Sequence, residues 1–345
     1  MPLSLGEPAP FFTVPTPSSP EFVFDTAAGR FVLMLFLPPE PDAAGAALQT
    51  LASHQSLFDD AKLSAFVVLR DREAAKGAQA RTGIRWIFDD SGRITQRYGP
   101  QPHWLLLDPT LRALGAASIE APEGLMALIR RLPAPGAHAG TPLVAPVLTA
   151  PRIFEPELCQ ALIDLHAADG GVFTGVMRDA GDRTVAVMDN LKKRRDVIVD
   201  DRQLIAAITE RLERRLYPFI KLALGFSVTH IERYLVSCYD AEDDGVFHPH
   251  RDNTTQGTAH RKFACSLNLN NDFEGGDLRF AEYGATTYRP PLGGAVVFAC
   301  GLMHEALRVT RGRRYAFLPF FHDQEGADTL AAYRARTAAT PEPVP

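Results

Sequence analysis

Two imidazoles and one carboxylate stand out in this chain: His250 and Asp252 in Phe247-His248-Pro249-His250-Arg251-Asp252, and His304 far downstream in His304-Glu305. Two histidines and a carboxylate on one face of a metal suit Fe(II) and leave coordination positions open for a co-substrate and dioxygen. Side chains two apart on an extended chain point the same way, so a strand over 246 to 252 would place His250 and Asp252 together. His304 would then meet them from an opposing strand. Arg314, in Gly312-Arg313-Arg314-Tyr315, adds a guanidinium whose fork can hold a carboxylate in two hydrogen bonds. Taken singly, each of these residues reads as an ordinary polar group on a strand end. Taken together they argue for iron, since a four-coordinate zinc site would leave Arg314 unexplained.

Neighbouring residues compete for these roles. His248 shares the nominal face of His250, but no glutamate follows at the spacing a His-x-His site would need, so it reads as a substrate-side or structural histidine. His260 falls in the loop Asn253 to Arg261 and reads as a solvated loop residue. Strand alternation lets only one of Arg313 and Arg314 point inward, a choice that alternation alone leaves open. The acidic run Asp240 to Gly245 reads as a solvated turn. Asn268 and Asn270 are expected on a strand, with no assigned role.

The elements that must position these groups are short strands. Arg261 to Asn270 alternates, Phe273-Glu274-Gly275-Gly276-Asp277-Leu278-Arg279-Phe280 follows, and Gly293 to Cys300 is a buried run. Strands punctuated by glycine and proline predict an antiparallel barrel or jelly roll. His304 would begin the strand after 295 to 300, and Arg314 would lie on the strand Arg313 to Phe321. A helix is expected from about Pro156, with Leu158, Leu162 and Leu165 on one face and Gly170-Gly171 stopping it. A second is expected from Asp200 or Asp201, with Ile205, Ile208, Leu212 and Leu216 as its buried stripe.

With these residues in view, the stretch from about Ala150 to Asp323 resembles the Fe(II)/2-oxoglutarate-dependent dioxygenases, in particular their prolyl-hydroxylase branch. "SCYDAEDDGVFHPHRDN", "LNLNNDFEGGDLRF" and "LMHEALRVTRGRRYAF" carry the likeness. The resemblance implies a double-stranded β-helix (jelly roll) with supporting helices. It makes His250, Asp252 and His304 the iron ligands, sets Arg314 on the far carboxylate of 2-oxoglutarate, and gives Tyr239 a hydroxyl contact to the same molecule. It implies Fe(II), 2-oxoglutarate and O2, with ascorbate as a reductant, and oxidative decarboxylation to succinate and CO2 coupled to C–H hydroxylation. The retained Asp252 favours hydroxylation over halogenation. The implied substrate is a prolyl or other side chain of a peptide or protein. A small-molecule hydroxylase would use the same residues, and a non-catalytic sensor or interaction protein would keep the ligands without turnover.

The first half reads differently. Arg30 to Leu37 and Ala65 to Leu69 are apolar enough for central strands, Trp104 to Leu107 is a third, and helices are expected over Ala43 to Phe58, Arg72 to Arg81 and Pro122 to Arg131. Alternating strands and helices predict a layered α/β domain. "LGEPAPFF" and "HWLLLDPTLRAL" resemble the peroxiredoxin and thioredoxin-like family. Its peroxidases need a thiolate, yet the positions after Pro38 that would hold threonine and cysteine are Asp42 and Gly45, and no cysteine precedes Cys159. Thiol chemistry is therefore excluded here. Homodimerisation, substrate docking and a purely stabilising role stay open for this domain. The expected division is 1–135 (thioredoxin-like), 136–149 (linker), 150–325 (dioxygenase) and 326–345 (C-terminal tail).

Composition sets the outer limits. The 345 residues are 46% hydrophobic and 22% charged, with a formal net charge of −5. That balance predicts a soluble protein of two domains and gives no footprint for nucleic acid. The basic run Lys192-Lys193-Arg194-Arg195 reads as a solvated turn. No apolar run of membrane-spanning length and no signal-peptide pattern is seen, so no membrane partner is expected. Cys159, Cys238, Cys265 and Cys300 form no close-spaced pair and are expected as reduced buried thiols, which points to the cytoplasm.

Overall fold

Apolar runs of Phe, Val, Leu and Met build the centre of a five-stranded sheet in the first half of the chain. The computed structural model describes residues 3–16, 19–70 and 82–339. The chain divides into two units, one running to Ala145 and taking in Phe280–Thr286, the other comprising Pro146–Arg279 and resuming at Thr287. It is mostly β-structure, in several sheets with few helices.

In the first unit, β1 (Phe31–Phe36), β2 (Leu63–Leu69), β3 (Ile84–Phe88), β4 (His103–Leu107) and β5 (Ala113–Ser118) lie in the order β3-β2-β1-β4-β5. β1, β2 and β3 are parallel to one another, β4 pairs antiparallel with β1, and β5 pairs antiparallel with β4. Every residue of β1 is buried, because both faces of the sheet are covered. Phe31, Leu33 and Leu35 enter one core, and Val32, Met34 and Phe36 enter another. Helix α1 (Pro41–Ser53) is shorter than the sequence suggests, and a single 3-10 turn completes the stretch to Leu57. A short α2 (Arg93–Tyr98) and α3 (Glu123–Arg130) complete the unit. The helix expected over Arg72 to Arg81 lies outside the described residues.

The second unit opens with Leu148–Ala150, which pairs as a strand and so takes up the end of the expected linker. Helix α4 (Pro156–Asp169) begins on a proline and ends where Gly170 adopts φ 86°. Helix α5 (Arg202–Arg211) is capped by Asp201, whose carboxylate accepts from the Leu204 N–H at 2.8 Å. A π-turn over Leu212–Leu216 leads into α6 (Tyr217–Leu224), easing Pro218 into the helical path. Leu158, Leu162, Ile208, Leu212 and Leu216 share one core with the sheet residues Val236, Leu267 and Phe317.

Two antiparallel sheets carry the site. The smaller contains β6 (Lys192–Lys193), β9 (Val246–His250), β11 (Leu278–Arg279) and β13 (His304–Ala306), with Thr287–Tyr288 at its edge. The larger contains β7 (Arg195–Ile198), β8 (Leu235–Asp240), β10 (Phe263–Asn268), β12 (Ala295–Ala299), β14 (Arg313–Phe317) and β15 (Phe320–His322), among shorter strands. The run Arg313 to Phe321 is thus two strands, parted at Leu318-Pro319 where proline has no N–H for the ladder. The stretch expected as a tail contributes most of α7 (Gln324–Ala339), in which the Tyr333 hydroxyl accepts from the Thr184 N–H at 2.7 Å. No described helix is long and apolar enough to cross a membrane.

Removing the Asp201 cap with Asp201→Ala is expected to lower stability by about 1 kcal/mol, read by urea unfolding. Asp200→Ala, which removes no cap, is expected to leave the midpoint in place.

Candidate metal centre

His250 ends β9 and stands directly across from His304, the first residue of β13. The strand stops at His250, short of the extended run to 252 expected from the sequence. Asp252 is instead fixed by its backbone: its N–H donates to the Cys300 carbonyl at 3.0 Å, and its carbonyl accepts from Arg261 Nη1 at 3.2 Å. One ligand atom from each of His250, Asp252 and His304 lies within 4.8 Å of the other two. Asp252 Oδ1 is 3.5 Å from His250 Nε2, and its Oδ2 is 3.3 Å from His304 Nε2.

The opposite nitrogen of each ring settles the tautomer. His250 Nδ1 is 2.7 Å from the His248 carbonyl, and His304 Nδ1 is 3.0 Å from the Leu302 carbonyl. A carbonyl only accepts, so Nδ1 carries the proton and Nε2 of the neutral ring presents a lone pair. Burial, then the neighbouring His250, push His304 down to about 4, so its ring is neutral at physiological pH. Burial alone would raise Asp252, but the two imidazoles and Arg261 outweigh it and hold the carboxyl below its usual range. Two ring nitrogens therefore converge on an ionised carboxylate, an arrangement that a divalent cation satisfies and that neutral packing does not. Phe247 stacks on His250 at 3.5 Å between ring centroids, and Phe298 lies 4.5 Å from His304, which limits the swing of both rings.

The triad opens into a pocket lined from both sheets. Arg314 lies in it, opposite Tyr239 in the β8–β14 register. It is 2% exposed, donates from Nη2 to Ser266 Oγ at 2.7 Å and from Nε to Asn268 Oδ1 at 3.1 Å. Both partners are neutral, and no carboxylate lies within ion-pair distance of it among the described residues. Burial pushes its pKa down. Gly276 makes room for this side chain: at φ +72° a Cβ there would sit 3.0 Å from Arg314 Cδ and 2.9 Å from Val309 Cγ2. Arg313 points the other way and pairs with Asp240 at 2.6 Å. Tyr239 is buried, and its hydroxyl accepts from Arg194 Nη1 at 3.2 Å, which leaves its own O–H free to donate.

Two expectations are corrected. The basic run is not a solvated turn, since Lys192 and Arg194 are buried while Lys193 and Arg195 face outward. Arg194 grips Asp196, with Nε 2.9 Å from Oδ1 and Nη2 3.2 Å from Oδ2. Burial alone would raise Asp196, but Arg194 and Lys192 hold it at about 2. Burial and the adjacent Arg194 lower Lys192 to about 7. The alternation of the four basic residues was the signal that could have found Arg194. His260 is likewise buried, with Nε2 2.9 Å from Glu232 Oε2, and the same carboxylate accepts from Arg261 Nε and Nη2 at 2.6 Å. The acidic run is a turn with Glu242 and Asp244 exposed, as expected, and surface ion pairs tie it down through Asp243 to Arg195 at 2.9 Å and Asp244 to Lys193 at 3.4 Å. His248 is exposed and stands apart from the ligand cluster. Asn270 braces the loop, its Oδ1 accepting from the Tyr315 N–H at 2.8 Å.

Residues 234–322 match the family model of the 2OG-Fe(II) oxygenase superfamily. This segment is an iron(II)/2-oxoglutarate oxygenase domain. It brings Fe(II), 2-oxoglutarate and O2 as its metal, cosubstrate and oxidant, and the candidate metal-binding triad lies inside it. Among solved structures the chain is similar to a Pseudomonas putida prolyl-4-hydroxylase, at 19% identity and TM-score 0.38, over 52% of this chain and 93% of that one. It is also similar to a Trichoplax adhaerens prolyl hydroxylase in complex with a hypoxia inducible factor peptide fragment, at 15% identity and TM-score 0.40, over 57% of this chain and 89% of that one. A viral collagen prolyl hydroxylase from Paramecium Bursaria Chlorella virus-1 gives 14% identity and TM-score 0.38, over 51% and 94%. No curated protein matches the chain.

Arg194 supports the pocket of the oxygenase domain through a buried ion pair. Arg194→Ala is expected to cost about 3 kcal/mol, because Asp196 is left buried without its main partner. Arg195→Ala, on the outward face, is expected to leave the unfolding midpoint close to that of the parent. Chemical denaturation of both variants measures the difference.

Proposed function

We propose that this protein is an Fe(II)/2-oxoglutarate-dependent hydroxylase acting on a prolyl or other side chain of a peptide or protein. One observation carries the reading: two Nε2 lone pairs, Asp252 and the uncompensated guanidinium of Arg314 open into the same pocket. In this reading His250, Asp252 and His304 hold the metal. Arg314 binds the far carboxylate of 2-oxoglutarate, a buried cation meeting the charge it lacks in the protein. Tyr239 donates its hydroxyl proton to the same molecule, with Arg194 fixing the ring. Iron with 2-oxoglutarate and dioxygen supplies the oxidising power for C–H hydroxylation. The preference for a prolyl or peptide substrate rests on the motif likeness around "SCYDAEDDGVFHPHRDN" and "EGGDLRF". The facing antiparallel sheets support a jelly-roll reading of the domain.

The first unit is proposed to be a thioredoxin-like domain without thiol chemistry. The order β3-β2-β1-β4-β5, with both sheet faces buried, supports that assignment. Pairing with a second copy or docking substrate are the roles that suit it. The division at 135, 149 and 325 belongs to the same proposal, and the split beside Ala145 supports it. A reducing, cytoplasmic location is supported by four free, buried cysteines.

The test is succinate release by the full chain with iron, 2-oxoglutarate and candidate prolyl peptides, together with iron binding by equilibrium dialysis. His304→Ala and Asp252→Ala are expected to lose both iron binding and turnover. Arg314→Ala is expected to raise the KM for 2-oxoglutarate by roughly 10- to 100-fold, the worth of a charged hydrogen-bonded contact, whereas Arg313→Ala leaves it near the parent value. Iron retained at full affinity in both triad variants, or equal effects of the two arginine changes, would overturn the assignment.

A further inference from the structure

Arg233 is a guanidinium of the pocket wall that has no carboxylate at ion-pair distance among the described residues, only the more distant pull of Glu232 and Asp196, and that the reaction leaves unmatched. It lies between the short strand His230–Ile231 and β8, half-buried, and lines the pocket with Arg194 and Arg314. Its plane rests 4.5 Å from the Phe320 ring centroid, and its Nε donates to the Leu318 carbonyl at 3.4 Å. Those two contacts hold the side chain in place, and no hydrogen bond from its terminal nitrogens is found among the described residues. Neither is any carboxylate within ion-pair distance. The two nearest candidates are already engaged: Glu232 by Arg261 and His260, Asp196 by Arg194.

The charge balance of the loaded site sharpens the point. If the proposed function holds, Fe(II) and Arg314 together are matched by Asp252 and the two carboxylates of 2-oxoglutarate. Arg194 is matched by Asp196, and Arg261 by Glu232. Arg233 alone is left over. Burial and the neighbouring Arg194 and Arg261 push its pKa down to about 10, the mark of a cation held in surroundings that disfavour it. A bound anion relieves both penalties, and a planar fork with free terminal nitrogens fits a carboxylate in two parallel hydrogen bonds.

We propose that the primary substrate carries a carboxylate, and that Arg233 binds it and so orients the C–H bond that faces the metal triad. This deepens the function proposed above and rests on it. The chemistry is shared by a small carboxylic acid, such as a free amino acid, and by the C-terminal carboxylate of a peptide. Arg233 is a specificity-determining residue here and takes no part in holding the metal or 2-oxoglutarate.

The experiment uses the iron-loaded full chain with saturating 2-oxoglutarate and measures succinate against four probes: L-proline, L-prolinamide, a short peptide ending in free proline, and the same peptide amidated. At least one acid is expected to stimulate succinate release about tenfold or more over its amide twin, and whichever acid does so names the source. Arg233→Gln is expected to raise the KM for that acid about 30-fold, the worth of a charge-assisted contact, without moving the KM for the amide, and Arg233→Lys to restore part of the loss. Comparing acid and amide on one variant, with its unfolding midpoint recorded, separates this effect from misfolding. If succinate forms in an iron-dependent way while acids and amides are indistinguishable, or if none of the four stimulates it, the inference falls and the oxygenase reading stands. The same holds if Arg233→Gln raises both KM values alike. Absence of iron-dependent succinate in every arm overturns both.

Discussion

Two imidazole nitrogens and an ionised carboxylate are held converging on one point, and a divalent cation is what satisfies all three at once. Neither ring is free to turn away, because each Nδ1 is tied to a carbonyl of its own chain segment, from His248 and from Leu302. Phe247 and Phe298 then block the rings sideways. Asp252 cannot retreat either, because its backbone bonds to Cys300 at the end of β12. The triad is thus kept converged by the register of β9 on β13, and that convergence favours a divalent ion. Most of the second unit can be understood as the structure needed to hold that register.

Buried arginines extend the same logic through the pocket. A guanidinium is costly to bury, and the cost is tolerable where a carboxylate and hydrogen bonds meet it. Arg194 with Asp196 and Arg261 with Glu232 meet this condition, and each performs a second task. Arg194 fixes the Tyr239 hydroxyl, and Arg261 donates to the carbonyl of Asp252. Arg314 does not meet the condition, since Ser266 and Asn268 offer only neutral acceptors. The contrast among neighbours separates cations neutralised by a carboxylate within the fold from one met by neutral partners alone.

How much of this was legible in the sequence varies with the range of the interaction. His250, Asp252, His304 and Arg314 could be picked out because their chemistry is unusual in combination; strand period allows only one of two adjacent arginines to turn inward, and the likeness around Gly312-Arg313-Arg314-Tyr315 selected Arg314. The burial of Arg194 was equally accessible, since inward Lys192 and Arg194 alternate with outward Lys193 and Arg195, yet a cluster of four bases invites a surface reading. His260 was not accessible: its burial depends on Glu232, which comes from a separate strand region and leaves no local trace. The strand Ala113–Ser118 is small-residue and poor in β-branched side chains, so propensity hides what pairing with β4 enforces. Gly276 is a further case, because its need for a bare Cα comes from Arg314 crossing it from another strand.

The first unit is built on a sheet that is buried on both faces. Alternate residues of β1 feed two separate cores, and neither core draws on the residues of the oxygenase domain's own core. Each face of the sheet is therefore sealed by its own apolar cluster, the arrangement that takes most apolar surface out of water. Gly45, seven residues after Pro38, lies within α1 with open space around its Cα. Glycine inside a helix gives up helix propensity and offers no side chain to react, so a thiolate at that position is excluded.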